Sequence, residues 1–215
     1  MSPDPMPAPD VVLATLAATD RFIVQQALRP LVNEYRISIP ASGSSEEGEP
    51  LLFVRQKRMK VKEDIRFRLG DGDGPHLFAI ASRTVFEFRG RHDVLDDTGQ
   101  VIGTIEKDFA RSLLRSHWRL RDADGTELFE AHEASWIIAL LRRLGDDLIP
   151  GAAVVVRFLP FNFTLRRDGD EVARYRRVLG KLRDRYVLEL DDGLAGVDRR
   201  LVLAFAVALD ALQDR

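Results

Sequence analysis

Between residues 20 and 190 the chain is a succession of short alternating apolar and polar runs separated by turns rich in Asp and Gly. Alternation with a period of two is the mark of a half-buried strand, and Asp/Gly turns between such runs are the strongest local hairpin signal. Phe22–Gln26, Tyr35–Ile39 and Leu51–Arg58 read as the first strands, the last two separated by a polar loop, Pro40–Pro50. A strand–turn–strand unit then recurs. Ile65–Leu69 turns through GDGDGP into Leu77–Ala81, and His92–Leu95 through DDTG into Val101–Glu106. Trp118–Leu120 turns through DADG into Glu127–Ala131, and Phe163–Leu165 through RRDGD into Val172–Arg177. Tyr186–Leu190 is the last strand. One helix precedes the series, Asp10–Ala18 with Asp10 as its N-cap, and one interrupts it, Ala134–Asp147, where Trp136, Ile137, Leu140, Leu141 and Leu144 fall at helical spacing.

The last run is different. Leu201–Leu212 (LVLAFAVALDAL) is apolar on every side except at Asp210. Its alternation of large and small residues fits a strand as well as a helix, whereas its alanines and a candidate N-cap at Asp198 favour helix. A helix apolar all round belongs in an interior. At about 1.5 Å per residue it would span about 18 Å, short of a bilayer core of about 30 Å. Among so many strands, a sheet curled into a barrel would hold it. Leu201, Leu203, Phe205, Val207 and Leu209 are the expected core residues.

Composition narrows the classes further. With 215 residues, 45% hydrophobic and 31% charged, the chain can bury a sizeable core. A net charge of −2 gives no global cationic field, which argues against nucleic acid as a partner. The absence of cysteine removes disulfides, thiolate metal sites and thiol nucleophiles, and suits a reducing, cytoplasmic setting. The opening MSPDPMPAPD lacks the basic and apolar regions of a signal peptide, so none is expected.

NEYRI (Asn33–Ile37), LLFVRQKRMK (Leu51–Lys60), VLDDTGQVIGTIEK (Val94–Lys107), WRLRDADGTELFEA (Trp118–Ala131) and VDRRLVLAFAVALDAL (Val197–Leu212) follow one another in an order that resembles the tubby-like superfamily. The resemblance is to its branch of LURP-one-related proteins and phospholipid scramblases, and covers roughly residues 20 to 213. It implies a mainly β fold: a closed, mostly antiparallel barrel of about twelve strands around a hydrophobic C-terminal helix (about 200–213), with one or two short outer helices. Residues 1–19 would be a flexible or partly helical segment, and 20–215 a single barrel domain. The superfamily also implies phosphoinositide or membrane association, and for scramblases lipid movement. The scramblases' cysteine-rich stretch has no counterpart here. Their calcium segment falls on LDDGLAGVDRR, which offers Asp191, Asp192 and Asp198 but lacks a calcium loop's dense oxygen ligands and closing Glu. A turn and a helix cap are the plainer reading.

Two basic clusters are the main candidate chemistry. Between 51 and 68, Arg55, Lys57, Arg58, Lys60, Lys62, Arg66 and Arg68 oppose Glu63 and Asp64. Between 157 and 185, nine cations, including Arg174, Arg176 and Arg177, oppose four acids. On one face these clusters would attract anionic headgroups; as solvated strand faces they would protect sheet edges. Arg55, Lys57, Arg58, Lys60, Lys62, Arg174, Arg176 and Arg177 are the headgroup-binding candidates. His76, His92, His117 and His132 lack helical or HExxH ligand spacing, so no metal and no cofactor is expected. GDGDG at 70–74 precedes a strand and reads as a turn. No GxSxG elbow, P-loop or dinucleotide fingerprint occurs. Phe158, Phe161 and Phe163 are assigned to the interior.

Three functions stay open. One is a non-catalytic module for anionic phospholipid headgroups or phosphorylated ligands, peripheral at a membrane. Another is a protein-interaction scaffold using the Trp136 region. The third is an enzyme, for which a helix-filled barrel leaves little room. Scramblase-like lipid transfer is a further alternative from the resemblance. Partner identity and oligomeric state are not encoded in any motif.

Overall fold

The computed structural model describes residues 7–29, 32–40, 47–57, 64–70, 72, 74–82, 90–108, 117–133, 162–178 and 184–212. The helix expected at 134–147 and residues Phe158 and Phe161 lie outside these. Twelve strands are present: β1 (Arg21–Arg29), β2 (Val32–Pro40), β3 (Glu47–Lys57), β4 (Asp64–Leu69), β5 (His76–Ser82) and β6 (Arg91–Asp96), then β7 (Val101–Lys107), β8 (His117–Asp122), β9 (Glu127–Glu133), β10 (Asn162–Arg167), β11 (Asp170–Val178) and β12 (Asp184–Leu190). Each pairs antiparallel with its neighbour in sequence, and β1 pairs with β12 to close the barrel. Closure leaves no edge strand.

The turns explain the order. DDTGQ and DADGT fold alike: the Asp96 carboxylate accepts from the backbone N–H of Thr98 and Gln100, and Asp122 accepts from those of Asp124 and Thr126. Gly99 and Gly125 close these turns at φ 87° and 85°, a region costly for other residues. In RRDGD, Asp168 and Gly169 both have positive φ (55° and 96°), the pair a tight two-residue hairpin requires.

The terminal segment is a helix, α2 (Arg199–Ala211), and it runs through the barrel. Leu201 is 3% exposed, and Leu203, Phe205, Val207 and Leu209 are 0% exposed. Asp198 caps the helix by accepting from the backbone N–H of Arg200 at 2.9 Å, and its carboxylate also holds the Arg200 guanidinium. Inward residues from every strand meet α2 in one hydrophobic core. The Phe205 ring packs edge-on to Phe129 at 5.0 Å, and Phe163 is among the fully buried side chains. At Gly103 the wall comes close to the helix: a Cβ there would stand 2.6 Å from Leu201 Cδ2 and 2.6 Å from the Arg121 carbonyl.

The first helix, α1 (Pro9–Ala17), packs Val12 and Leu16 onto this core and touches α2. It differs from expectation at its start. Ala8 is the N-cap, without a side-chain hydrogen bond, and Asp10 sits in the first turn. Pro9, with its φ pre-set for helix and no N–H to satisfy, begins the helix ahead of Asp10. Strand β3 also starts earlier than expected, at Glu47, because β2–β3 pairing continues through irregularities to Pro40↔Glu47. Chain ends are tied together by Arg199, which is buried and donates to the Leu194 carbonyl at 2.8 Å and to Asp20 at 2.7 Å.

Candidate functional site

The only acid of α2 among the described residues, Asp210, lies at the C-terminal end of the helix, and the wall is built to receive it. Tyr35 of β2 donates its phenol to Asp210 Oδ2 at 2.8 Å, and Tyr186 of β12 donates to Oδ1 at 2.9 Å. Tyr175 of β11 stacks on Tyr186 at 5.0 Å, and its own buried hydroxyl finds no hydrogen-bond partner among the described residues. Gln56 donates to the Ala211 carbonyl at 3.2 Å and accepts from Asn33 at 2.9 Å. Burial first, and then the Asp210 charge, pushes the Tyr35 and Tyr175 phenols up from their ordinary values. Both phenols stay protonated, and Tyr35 acts as a donor to Asp210. The cluster fixes the helix's rotation and depth, a structural task.

With its interior filled along α2, the barrel presents its chemistry on the outer wall. Strand alternation sends Tyr35, Ile37, Val54, Ile65 and Phe67 inward and leaves Arg36, Arg55 and Arg66 exposed and Arg68 half-buried. The register sets these in two rows. Arg36, Phe53 and Arg68 lie across from one another, as do Glu34, Arg55 and Arg66. Four arginines therefore surround Phe53, with the Arg55 guanidinium 5.3 Å from its ring. The one acidic side chain described among them is Glu34, which accepts from Arg55 at 3.2 Å. Arg68 donates to the Gly74 carbonyl at 3.0 Å. The glycine-rich turn closes over Phe53, because a Cβ on Gly72 would come within 2.5 Å of that ring.

The second cluster is organised differently. Arg174 pairs with Glu171, and Arg176 with Glu189 at 2.7 Å; Arg21 of β1 also approaches Glu189, at 3.5 Å. Arg177 is half-buried. These cations form a mixed ladder with acids from β11 and β12. From β3 to β11 the wall passes β2, β1 and β12. Four steps at ~4.8 Å set the two groups roughly 19 Å apart along the wall, a third of the way around the twelve-strand barrel, so the two clusters face different directions. Arg58, Lys60, Lys62 and the Lys57 side chain lie outside the described residues.

The acids before the helix act locally. Asp191 accepts from the Asp192 N–H at 2.7 Å to start a short 3-10 turn (Asp192–Leu194), while Asp198 is occupied with Arg200. The histidines are more revealing. His92 contacts Ser82 Oγ through Nδ1 at 3.0 Å, and burial lowers its pKa from 6.5 to about 4, against the Asp93 charge. His117 and His132 face each other across β8 and β9 with Glu130 between them. Helical spacing rules do not register this grouping, since cross-strand partners lie 15 residues apart in sequence. An E-x-H pair on one strand face, opposite a histidine one hairpin away, is the signal that would have found it.

The His92 shift has a measurable consequence. Its pKa is lower in the folded state than in the unfolded chain, so the unfolded state binds more protons between the two values. Stability from this group is full above about pH 6.5 and falls as pH drops toward about 4, by at most about 3 kcal/mol. Urea titrations at pH 7 and pH 4.5 should show this loss, and His92→Gln should flatten the profile in that window.

The fold and its wall agree with the comparison of families. The LURP-one-related family model matches residues 51–210, and the chain belongs to that family, part of the tubby-like superfamily. No curated protein matches the chain significantly. Among the described residues no helix is long and apolar enough to cross a membrane.

Proposed function

We propose that this LURP-one-related domain is a non-catalytic binding module. It recognises anionic phospholipid headgroups on the outer wall of β2–β4, peripheral to a cytoplasmic membrane surface. The observation that carries this reading is the pairing of Arg55 with Arg66. They stand directly opposite in the β3–β4 register, both exposed. Glu34 offsets one positive charge of the four arginines around Phe53, and an anionic headgroup between the guanidinium groups would meet the remaining positive surface with charge-assisted hydrogen bonds. Arg36 and Arg68 extend the positive surface on either side of Phe53. Each cation near an anionic membrane contributes roughly 1 kcal/mol, a term salt weakens. The filled interior supports a role on the surface, since a buried substrate pocket would compete with α2 for space.

Vesicle co-sedimentation tests this. Phosphatidylcholine vesicles should leave the protein in the supernatant, and vesicles doped with phosphatidylserine or phosphoinositide should pellet it at low salt. An Arg55→Glu/Arg66→Glu double variant should reduce pelleting at least about tenfold, since reversing two charges removes and opposes about 1 kcal/mol at each site. An Arg174→Glu variant should bind nearly as well as the parent. Equal sedimentation of parent and double variant would refute the assignment to β2–β4.

A further inference from the structure

On the opposite run of the barrel wall from the arginine patch, β8 and β9 bring together three side chains with metal-ligating atoms. His117 opens β8 and His132 lies near the end of β9, directly across from it in register. Glu130 precedes His132 by two residues and therefore shares its outward face, alternating with buried Phe129 and Ala131. Glu130 reaches both rings at once. Its Oε2 lies 3.0 Å from His117 Nε2, and its Oε1 lies 3.0 Å from His132 Nε2. The two imidazoles are 4.5 Å apart, inclined at 57°. One ligand atom from each of the three residues lies within 4.8 Å of the others.

We propose that His117, Glu130 and His132 form a binding site for a divalent transition-metal ion of the zinc class. Two imidazole nitrogens and one carboxylate oxygen suit zinc, which takes N and O ligands at about 2.0–2.2 Å. Calcium and magnesium prefer oxygen alone, and a thiolate-seeking ion finds no cysteine in this chain. Tetrahedral ligands at those bond lengths stand about 3.3–3.5 Å apart. The two separations from Glu130, 3.0 Å each, are near this, whereas the group as a whole spans up to 4.8 Å, so binding requires Glu130 to move aside and the two rings to close on the ion.

Two further features distinguish the group from an ordinary surface ion pair. His117 is 3% exposed although it occupies an outward position, which makes its ring a fixed ligand; Glu130 and His132 are about one-third exposed and leave an opening to solvent. Behind the His117 ring, Asp108 Oδ2 stands 3.9 Å from Nδ1 and is itself held by Arg119 at 3.1 Å. At 3.9 Å Asp108 is beyond direct hydrogen-bond reach of Nδ1, so its contribution is electrostatic: a negative charge behind the ring adds to the attraction for a cation at Nε2. Three protein ligands with an open side leave a coordination position for water or for an atom of a bound partner.

The test uses tag-free full-length protein stripped with a chelator and dialysed. Titration calorimetry with zinc chloride alone should give one equivalent bound, and calcium chloride at the same concentrations should give none. Cobalt substitution should produce the visible absorption of a low-symmetry nitrogen and oxygen site. His132→Ala and Glu130→Gln, both on partly exposed positions, should each weaken zinc binding at least tenfold while the circular dichroism and melting of the metal-free protein stay close to the parent. His92→Ala should bind zinc as the parent does. No zinc uptake by the parent, or uptake that both His132→Ala and Glu130→Gln leave unchanged, would overturn the proposal.

Discussion

Ala204→Asp should abolish soluble expression of the folded domain. Ala204 is 0% exposed in the middle of α2, between Leu203 and Phe205, which are equally inaccessible. A carboxylate there would lie inside the barrel, within the buried hydrophobic cluster that the described residues form around α2. Removing an ion from water without a partner costs several kcal/mol even after relaxation. A domain stable by about 5–15 kcal/mol has little margin for that and for the added volume. Ala204→Ser, which adds one hydroxyl able to bond back to the helix carbonyls, should fold with a lowered melting temperature. Comparing soluble yield and thermal melts of the two separates a buried α2 from an exposed one. A well-folded Ala204→Asp protein would contradict the enclosed helix.

Asp210→Ala should lower stability by about 2–5 kcal/mol. The substitution removes the acceptor for both Tyr35 and Tyr186, and each buried donor left without a partner costs about 1–3 kcal/mol. Reverting the donors should recover part of the loss. In the Tyr35→Phe/Tyr186→Phe/Asp210→Ala triple variant no unmet hydroxyl remains at these positions, so it should be more stable than Asp210→Ala alone. Denaturant titration of the parent, Asp210→Ala, Tyr35→Phe/Tyr186→Phe and the triple variant forms the needed cycle. A triple variant no more stable than Asp210→Ala would show that the phenols are not energetically coupled to the carboxylate.

The sequence-to-structure relation is clearest at α2. The apolar run admitted a strand or a helix by periodicity; its alanines and the Asp198 cap favoured helix, and the structure has a helix capped by Asp198. The hairpin series was legible because each turn carries its own chemistry: the Asp carboxylates fold back on the backbone, and Gly supplies positive φ. Asp10 shows where local rules fall short, since two rules compete at one terminus and Pro9 takes the first helical position.

Site chemistry was less legible for a geometric reason. Counting charge along the chain joined Arg174 and Arg176 to a net-positive window that ended at 185. The acid that matters for Arg176, Glu189, lies beyond that window and reaches it through β11–β12 pairing. Conversely, Arg36 is too far along the chain to belong to the first window, yet the β2–β3 register sets it beside Phe53 and within the arginine group. His117, Glu130 and His132 likewise become neighbours through a hairpin register. Sequence shows runs, whereas a sheet assembles its surfaces across strands.

If recognition takes place on the outer wall, α2 stays locked inside the barrel throughout. Hydrogen exchange by mass spectrometry, with and without anionic vesicles, tests it most directly. Peptides covering 199–211 should exchange among the slowest in the chain, and vesicles should leave that rate unchanged while binding occurs. Rapid exchange of this segment in the free protein, or its acceleration when vesicles bind, would mean that the helix leaves the barrel and would contradict the account.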